Sequence, residues 1–343
     1  MKIKSTLMVA AVAAATLASG GAQAALTAFQ TFVGNVGVST DGWGSTTQAG
    51  VISASVPVGA TVRAAYLYTA TSRNGSLAGV GGTLAGNALS YGSIGTIPSP
   101  ACCSLTAARM DVTSIIKPRI DGGVGGIYNF NITETSRSQE GSALVVVYDL
   151  ASLATSTVGI LDGFAVVTGD TTSINFTDPL NTTAAGFFAE MRLGIGFSFN
   201  GTGCTGSGQT STINVNGTRI TNNAGCNDDN ADASAGNGNL ITVGGFDDPF
   251  SPFLPSVAAD KERYNLVPQI ANGSTSITVV TSNASLNDNI FLAVFHVSGI
   301  AGVNAPPPTP VPPTGVPEPM SLSLVALALL GLAAQRRAAK RKG

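Results

Sequence analysis

Two near-continuous apolar runs, Ser142–Tyr148 (SALVVVY) and Ile290–Val297 (IFLAVFHV), set the tightest limit on how this 343-residue chain can fold. Such a run, short and rich in β-branched residues, reads as a strand buried on both faces. A strand of that kind needs a packed layer on each side. Each run also closes a stretch that follows one template. The first stretch passes from Val62–Thr69 through 82–87 (GTLAGN), 111–116 (DVTSII) and Tyr128–Thr133 to Ser142–Tyr148. The second passes from Met191–Phe199 through 212–217 (TINVNG), 264–267 (YNLV) and Ser276–Val280 to Ile290–Val297. Both read as an outer strand, a hairpin around a Gly/Asn turn, a linking segment, a strand and an apolar closing strand.

Turn signals such as Asn74-Gly75, Asn216-Gly217 and Asn272-Gly273 separate the strands. No long amphipathic helical pattern interrupts them. The sequence therefore predicts an all-β chain of two tandem β-sandwich, jelly-roll-like units, at 25–155 and 156–300. One larger sandwich whose strands merely look alike is the alternative. With 44% hydrophobic residues the chain is too apolar to stay disordered.

Charge is sparse, at 10% of residues, and unevenly placed. Lys2 and Lys4 open the chain, and Arg336, Arg337, Lys340, Arg341 and Lys342 end it. Without those seven residues and Glu318, 10 Lys+Arg face 18 Asp+Glu, a body of net charge −8. An acidic body with no basic stripe excludes nucleic acid as the expected partner.

The ends read as addresses. Residues 1–24 have the grammar of a signal peptide: the two lysines, an apolar stretch Leu7–Ala18, and a small-x-small site at Ala22-Gln23-Ala24, so that the mature chain starts at Ala25. At the other end a linker over 301–316 carries the run Pro306-Pro307-Pro308-Thr309-Pro310-Val311-Pro312-Pro313, which favours stiff, extended polyproline II. Then come Pro317-Glu318-Pro319, an apolar segment Met320–Ala334 and the basic tail, together 317–343. As a single anchor helix the apolar segment spans about 22 Å, less than the ~30 Å hydrocarbon core, and inserts with snorkelling of its flanks. Its basic tail is expected on the cytoplasmic side of the inner membrane.

The Pro317-Glu318-Pro319 tripeptide, the apolar helix and the Arg336/Arg337 cluster resemble the PEP-CTERM sorting signal, also catalogued as the ice-binding protein C-terminal domain. The resemblance covers about the last 28 residues of the chain. It implies recognition and cleavage near Pro-Glu-Pro by an exosortase-type membrane protease, in bacteria that make exopolysaccharide. On that basis the expected role is a structural or interaction protein of the cell surface or extracellular matrix, exported through the inner membrane, anchored there, and then associated with exopolysaccharide. Two other roles remain open: a carbohydrate-binding, adhesin-like module, and a polysaccharide-acting hydrolase.

The exported part holds four cysteines, Cys102, Cys103, Cys204 and Cys226, which points to disulfides with three possible pairings. Cys204–Cys226 is the favoured bridge. Adjacent Cys102 and Cys103 form either a strained vicinal bridge or two links to the distant pair. The spacing fits neither a CxxC redox pair nor a zinc site.

Catalytic residue types are few. His296 is the only histidine and sits in an apolar strand. No Gly-x-Ser-x-Gly elbow, HExxH or P-loop occurs, so no catalytic residue and no required cofactor is read from the sequence. Asp228-x-Asn230-x-Asp232 has the alternating oxygen spacing of a calcium loop, but Ala233 stands where that loop needs Gly and Asn239 where it needs Glu. Trp43, the sole Trp, lies between glycines in Asp41-Gly42-Trp43-Gly44. It reads either as a core anchor or as a loop platform for a sugar ring.

Overall fold

The computed structural model describes residues 26–44, 47–72, 76–98, 104–165, 169–196, 211–225, 240–283 and 289–308. These are dominated by strands. The first half supplies β1 (Thr27–Gly34), β2 (Val36–Trp43), β3 (Ala49–Val56), β4 (Thr61–Thr71), β5 (Gly82–Leu84), β6 (Asn87–Leu89), β7 (Gly92–Pro98), β8 (Ser104–Asp111), the helix α1 (Thr113–Ile120), β9 (Gly126–Glu134) and β10 (Gln139–Asp149). The second supplies β11 (Ser156–Asp162), β12 (Asp170–Phe176), β13 (Ala189–Gly196), β14 (Ser211–Val215), β15 (Thr218–Ala224), β16 (Thr242–Val243), β17 (Arg263–Asn265), β18 (Ser276–Ser282), β19 (Asn289–Ser298) and β20 (Ala301–Val303). The fold is all-β, and among the described residues there is one short α-helix.

Four antiparallel sheets form. In the first half, β2-β10-β4-β8-β7 faces β3-β9-β5-β6. In the second, β1-β11-β19-β13-β16, with β17 also on β13, faces β15-β14-β18-β12-β20. One strand order occurs twice. The series β2-β10-β4-β8 corresponds to β11-β19-β13-β17, and β3-β9-β5-β6 corresponds to β12-β18-β14-β15. The two stretches matched in the sequence lie on corresponding strands. Val62–Thr69 and Met191–Phe199, read there as outer strands, instead fall within β4 and largely within β13, each flanked on both sides in its sheet. Both are apolar because both their faces are covered.

The two halves also pack on each other, sheet on sheet. In β10, Ala143, Val145 and Val147 enter the core between the halves, while Leu144 and Val146 enter the core inside the first half. In β19, Phe291, Leu292 and Val294 face the first half, whereas Ile290, Ala293, Phe295 and Val297 face the outer sheet of the second. Period-2 alternation with both faces apolar is what makes these runs continuous in sequence. Each fully buried aliphatic side chain contributes about 1.5–3 kcal/mol.

The edges are closed locally. The Asp41 carboxylate accepts from the Ser53 N–H and the Ser39 hydroxyl from the Ser55 N–H, so β2 side chains occupy donors on the free edge of β3. A strand edge capped in this way resists pairing with another chain. The terminal strands close the corresponding edges of the second half. β1 pairs with β11, and β20 pairs with β12. Among the described residues no helix is long and apolar enough to cross a membrane. Met320–Ala334 lies outside them.

Candidate functional site

A dense polar cluster lies where the halves meet. Glu190 and Arg192 both project from β13 and pair at 2.8 Å, Arg192 being almost fully buried. Arg263, on β17, reaches Glu190 at 3.2 Å, and His296 Nδ1, on β19, stands 3.5 Å from it. Register explains the meeting, since β13 runs between β17 and β19 and Glu190 lies directly opposite both Asn265 and His296. Burial pushes the Glu190 carboxyl up. The hydrogen bond from His296 and the charges of Arg192 and Arg263 outweigh it and bring the pKa to about 2.

This cluster reaches into the first half. Arg192 Nη1 donates to the Val38 carbonyl and the Thr40 hydroxyl, both at 3.2 Å. Thr40 Oγ1 donates to the Gly244 carbonyl at 2.6 Å, and the Phe246 N–H donates to the Thr40 carbonyl at 2.8 Å. The Ser156 hydroxyl donates to the Val36 carbonyl at 2.8 Å. The carbonyls of Val36, Val38 and Thr40 on β2 are thus all met by groups of the second half.

Ser156, His296 and Glu190 are connected in the order of a hydrolase triad, with His296 Nε2 3.2 Å from Ser156 Oγ. Their geometry does another job. The Ser156 hydroxyl donates to the Val36 carbonyl, a backbone acceptor inside the seam. Ser156 is also only 1% exposed, out of reach of a substrate. The His296 ring packs on Phe188 at 4.5 Å between centroids. The lone histidine therefore belongs to the seam between the halves.

A second, acidic group flanks the seam. Burial raises the Asp41 pKa to about 7, against the lowering bond from Ser53, and the nearby Asp247 and Asp248 carboxylates add to the rise. Glu262, fully buried beside Asp260, is raised well above the usual carboxylate range by burial and by that neighbour. It accepts from the Gly225 N–H and the Thr242 hydroxyl. Inside the first half, burial raises Glu134 to about 8. Among the described residues no group of three or more His, Cys, Asp or Glu side chains is placed to hold a metal ion.

Of the residues singled out in the sequence, Trp43 is described, and it ends β2 in register with Ser142. It is 3% exposed, and its indole packs so closely on Gly50 that a Cβ there would sit 2.0 Å from Nε1. It is a core residue of the first half, with no face open to a sugar. Room for the ring comes from Gly50 on β3, not from the glycines beside Trp43 in the sequence. The calcium-type residues Asp228, Asn230 and Asp232, the four cysteines, the cleavage residues Ala22, Ala24 and Ala25, and the sorting residues Pro317, Glu318, Pro319, Arg336 and Arg337 lie outside the described residues. Sequence reading missed the Glu190–Arg192–Arg263 cluster. Its one available signal was charge inside otherwise apolar strand patterns.

No family model matches the chain, and no curated protein matches it.

Proposed function

We propose that this chain is an exported cell-surface or extracellular-matrix protein with a structural or interaction role, sorted through a PEP-CTERM-type C-terminus. The observation that carries the reading is the ordered series of signal peptide, β-rich body, Pro-rich run, Pro317-Glu318-Pro319, apolar segment and basic tail. The body is read as two tandem jelly-roll-like sandwiches, and the repeated strand order supports that. Its partners are an exosortase-type protease and, after release, exopolysaccharide or other matrix proteins.

The geometry adds a clamp at the root of the Pro-rich run. The Ser173 N–H donates to Asn304 Oδ1, the Asn304 N–H donates back to the Ser173 carbonyl, and Asn175 Nδ2 donates to the Ala305 carbonyl, all within 3.0 Å. Val303 packs where a Cβ on Gly159 would collide with it. The chain therefore enters the Pro-rich run from a pinned strand. Replacing Glu318 by Ala in the native host tests the reading. The chain is expected to accumulate in the membrane fraction with its C-terminus intact, and unchanged release would contradict it.

A further inference from the structure

A groove of about 390 Å³ opens beside β15 and β17, walled by Phe250, Pro252, Phe253, Tyr264, Pro268 and Gln269. Its rim is unusually apolar for a surface loop. Phe250, Phe253 and Leu254 are 44%, 60% and 48% exposed, three large hydrophobic side chains within five residues. Leu254 has φ +46°, a left-handed conformation rare for a bulky residue, and its N–H is fixed on the Ile220 carbonyl at 2.9 Å. Arg263 lies 4.5 Å from the centre of the Phe250 ring and orients it. The loop therefore displays apolar groups that it could have turned inward.

We infer that this groove receives the Pro-rich run Pro308–Pro313 of a second copy of the chain. Aromatic and proline walls suit a polyproline II ligand, whose prolines bring no N–H to be desolvated and whose shape is set before binding. The side-chain amides of Asn265 and Gln269 line the same groove and can donate to the free carbonyls of such a ligand. The chain carries that ligand itself, with four prolines in the six residues Pro308–Pro313. A second copy is favoured because Ala305 and Pro306 pack back on Gly302, and Pro306 and Pro307 line a groove at the chain's own β12–β20 edge. The rod starts beyond β20, at one edge of its sheet, while the groove adjoins β15 at the other. Root and groove are different surfaces, so the contact is head-to-tail and repeats into an open chain of copies. This assembly rests on the reading of the chain as a matrix protein and names its partner.

The test is sedimentation velocity of the full chain in detergent over a concentration series, with two variants. Phe253→Ser removes a groove wall without touching the core, and the double variant Pro310→Ser, Pro312→Ser softens the rod. The wild type is expected to grow beyond a dimer with concentration, and each variant to associate about tenfold or more weakly. An equimolar mixture of the two variants should form a dimer and nothing larger, because one intact groove meets one intact rod. A wild type that stays monomeric, as docking on its own groove would give, overturns the inference. So does association that survives both variants, as contact through the apolar anchor would give, or a mixture that stays monomeric. The release assay on Glu318→Ala is independent of these readings, so failure of the sorting proposal and failure of the groove are told apart.

Discussion

Arg192 donates through Nη1 to the Val38 carbonyl at 3.2 Å, so a side chain of the second half closes the edge of a strand in the first. The same guanidinium neutralises Glu190, and both groups are buried. Arg192→Met should leave Glu190 short of a buried partner and β2 short of a donor. Loss of about 3–5 kcal/mol is expected in urea unfolding. Replacing Glu190 by Gln in the same chain should recover part of it, and strict additivity of the two changes would argue against the coupling.

The halves are expected to unfold together. Cutting the chain between residues 155 and 156 would bare the face formed by Tyr66, Tyr68, Val145 and Val147 on one side and Val158, Ile160 and Val294 on the other. Each half expressed alone should aggregate or bind a hydrophobic dye, and the intact body should show one calorimetric transition. Two independent transitions would contradict this.

Acid should stabilise the fold down to mildly acidic pH. Asp41 and Glu134 have folded-state values of about 7 and about 8, above their unfolded ones, so the folded chain binds the extra protons. Their contribution is present at low pH and is lost as pH rises through about 7 to 8. Glu190, lowered to about 2, acts in the opposite sense, and its contribution is lost only as pH falls toward that value. Stability to urea should be higher near pH 5 than near pH 8.5, and Asp41→Asn should narrow the gap by an amount on the order of 1–3 kcal/mol. An unchanged gap in the variant would assign the effect elsewhere.

Trp43→Ala should act on stability. Emptying a buried indole site costs on the order of 3–5 kcal/mol, and Gly50→Ala should destabilise by steric conflict with the same ring. Binding to exopolysaccharide, measured at a temperature where the variant stays folded, is expected to be unchanged.

The two apolar runs revealed the inner strands because strands covered on both faces leave no polar alternation, and that signature is local. Val62–Thr69 and residues 191–196 look alike in sequence because each lies in a strand flanked by neighbours on both sides of its sheet. What stayed hidden depends on register across distant strands. Glu190, Arg263 and His296 lie far apart in sequence, and only the pairing of β13 with β17 and β19 brings them together. Trp43 left two readings open in the sequence, and the structure takes the core anchor, since the residue that receives its ring, Gly50, lies on another strand. Nor could the sequence show that β1 would complete a sheet of the other half.

The most direct measurement is the intact mass of the protein recovered from each fraction of its native host. The account expects an extracellular or surface species that begins at Ala25 and ends near Pro317–Pro319. A protein that keeps Met320–Gly343 in every fraction, or that retains Met1, would contradict it.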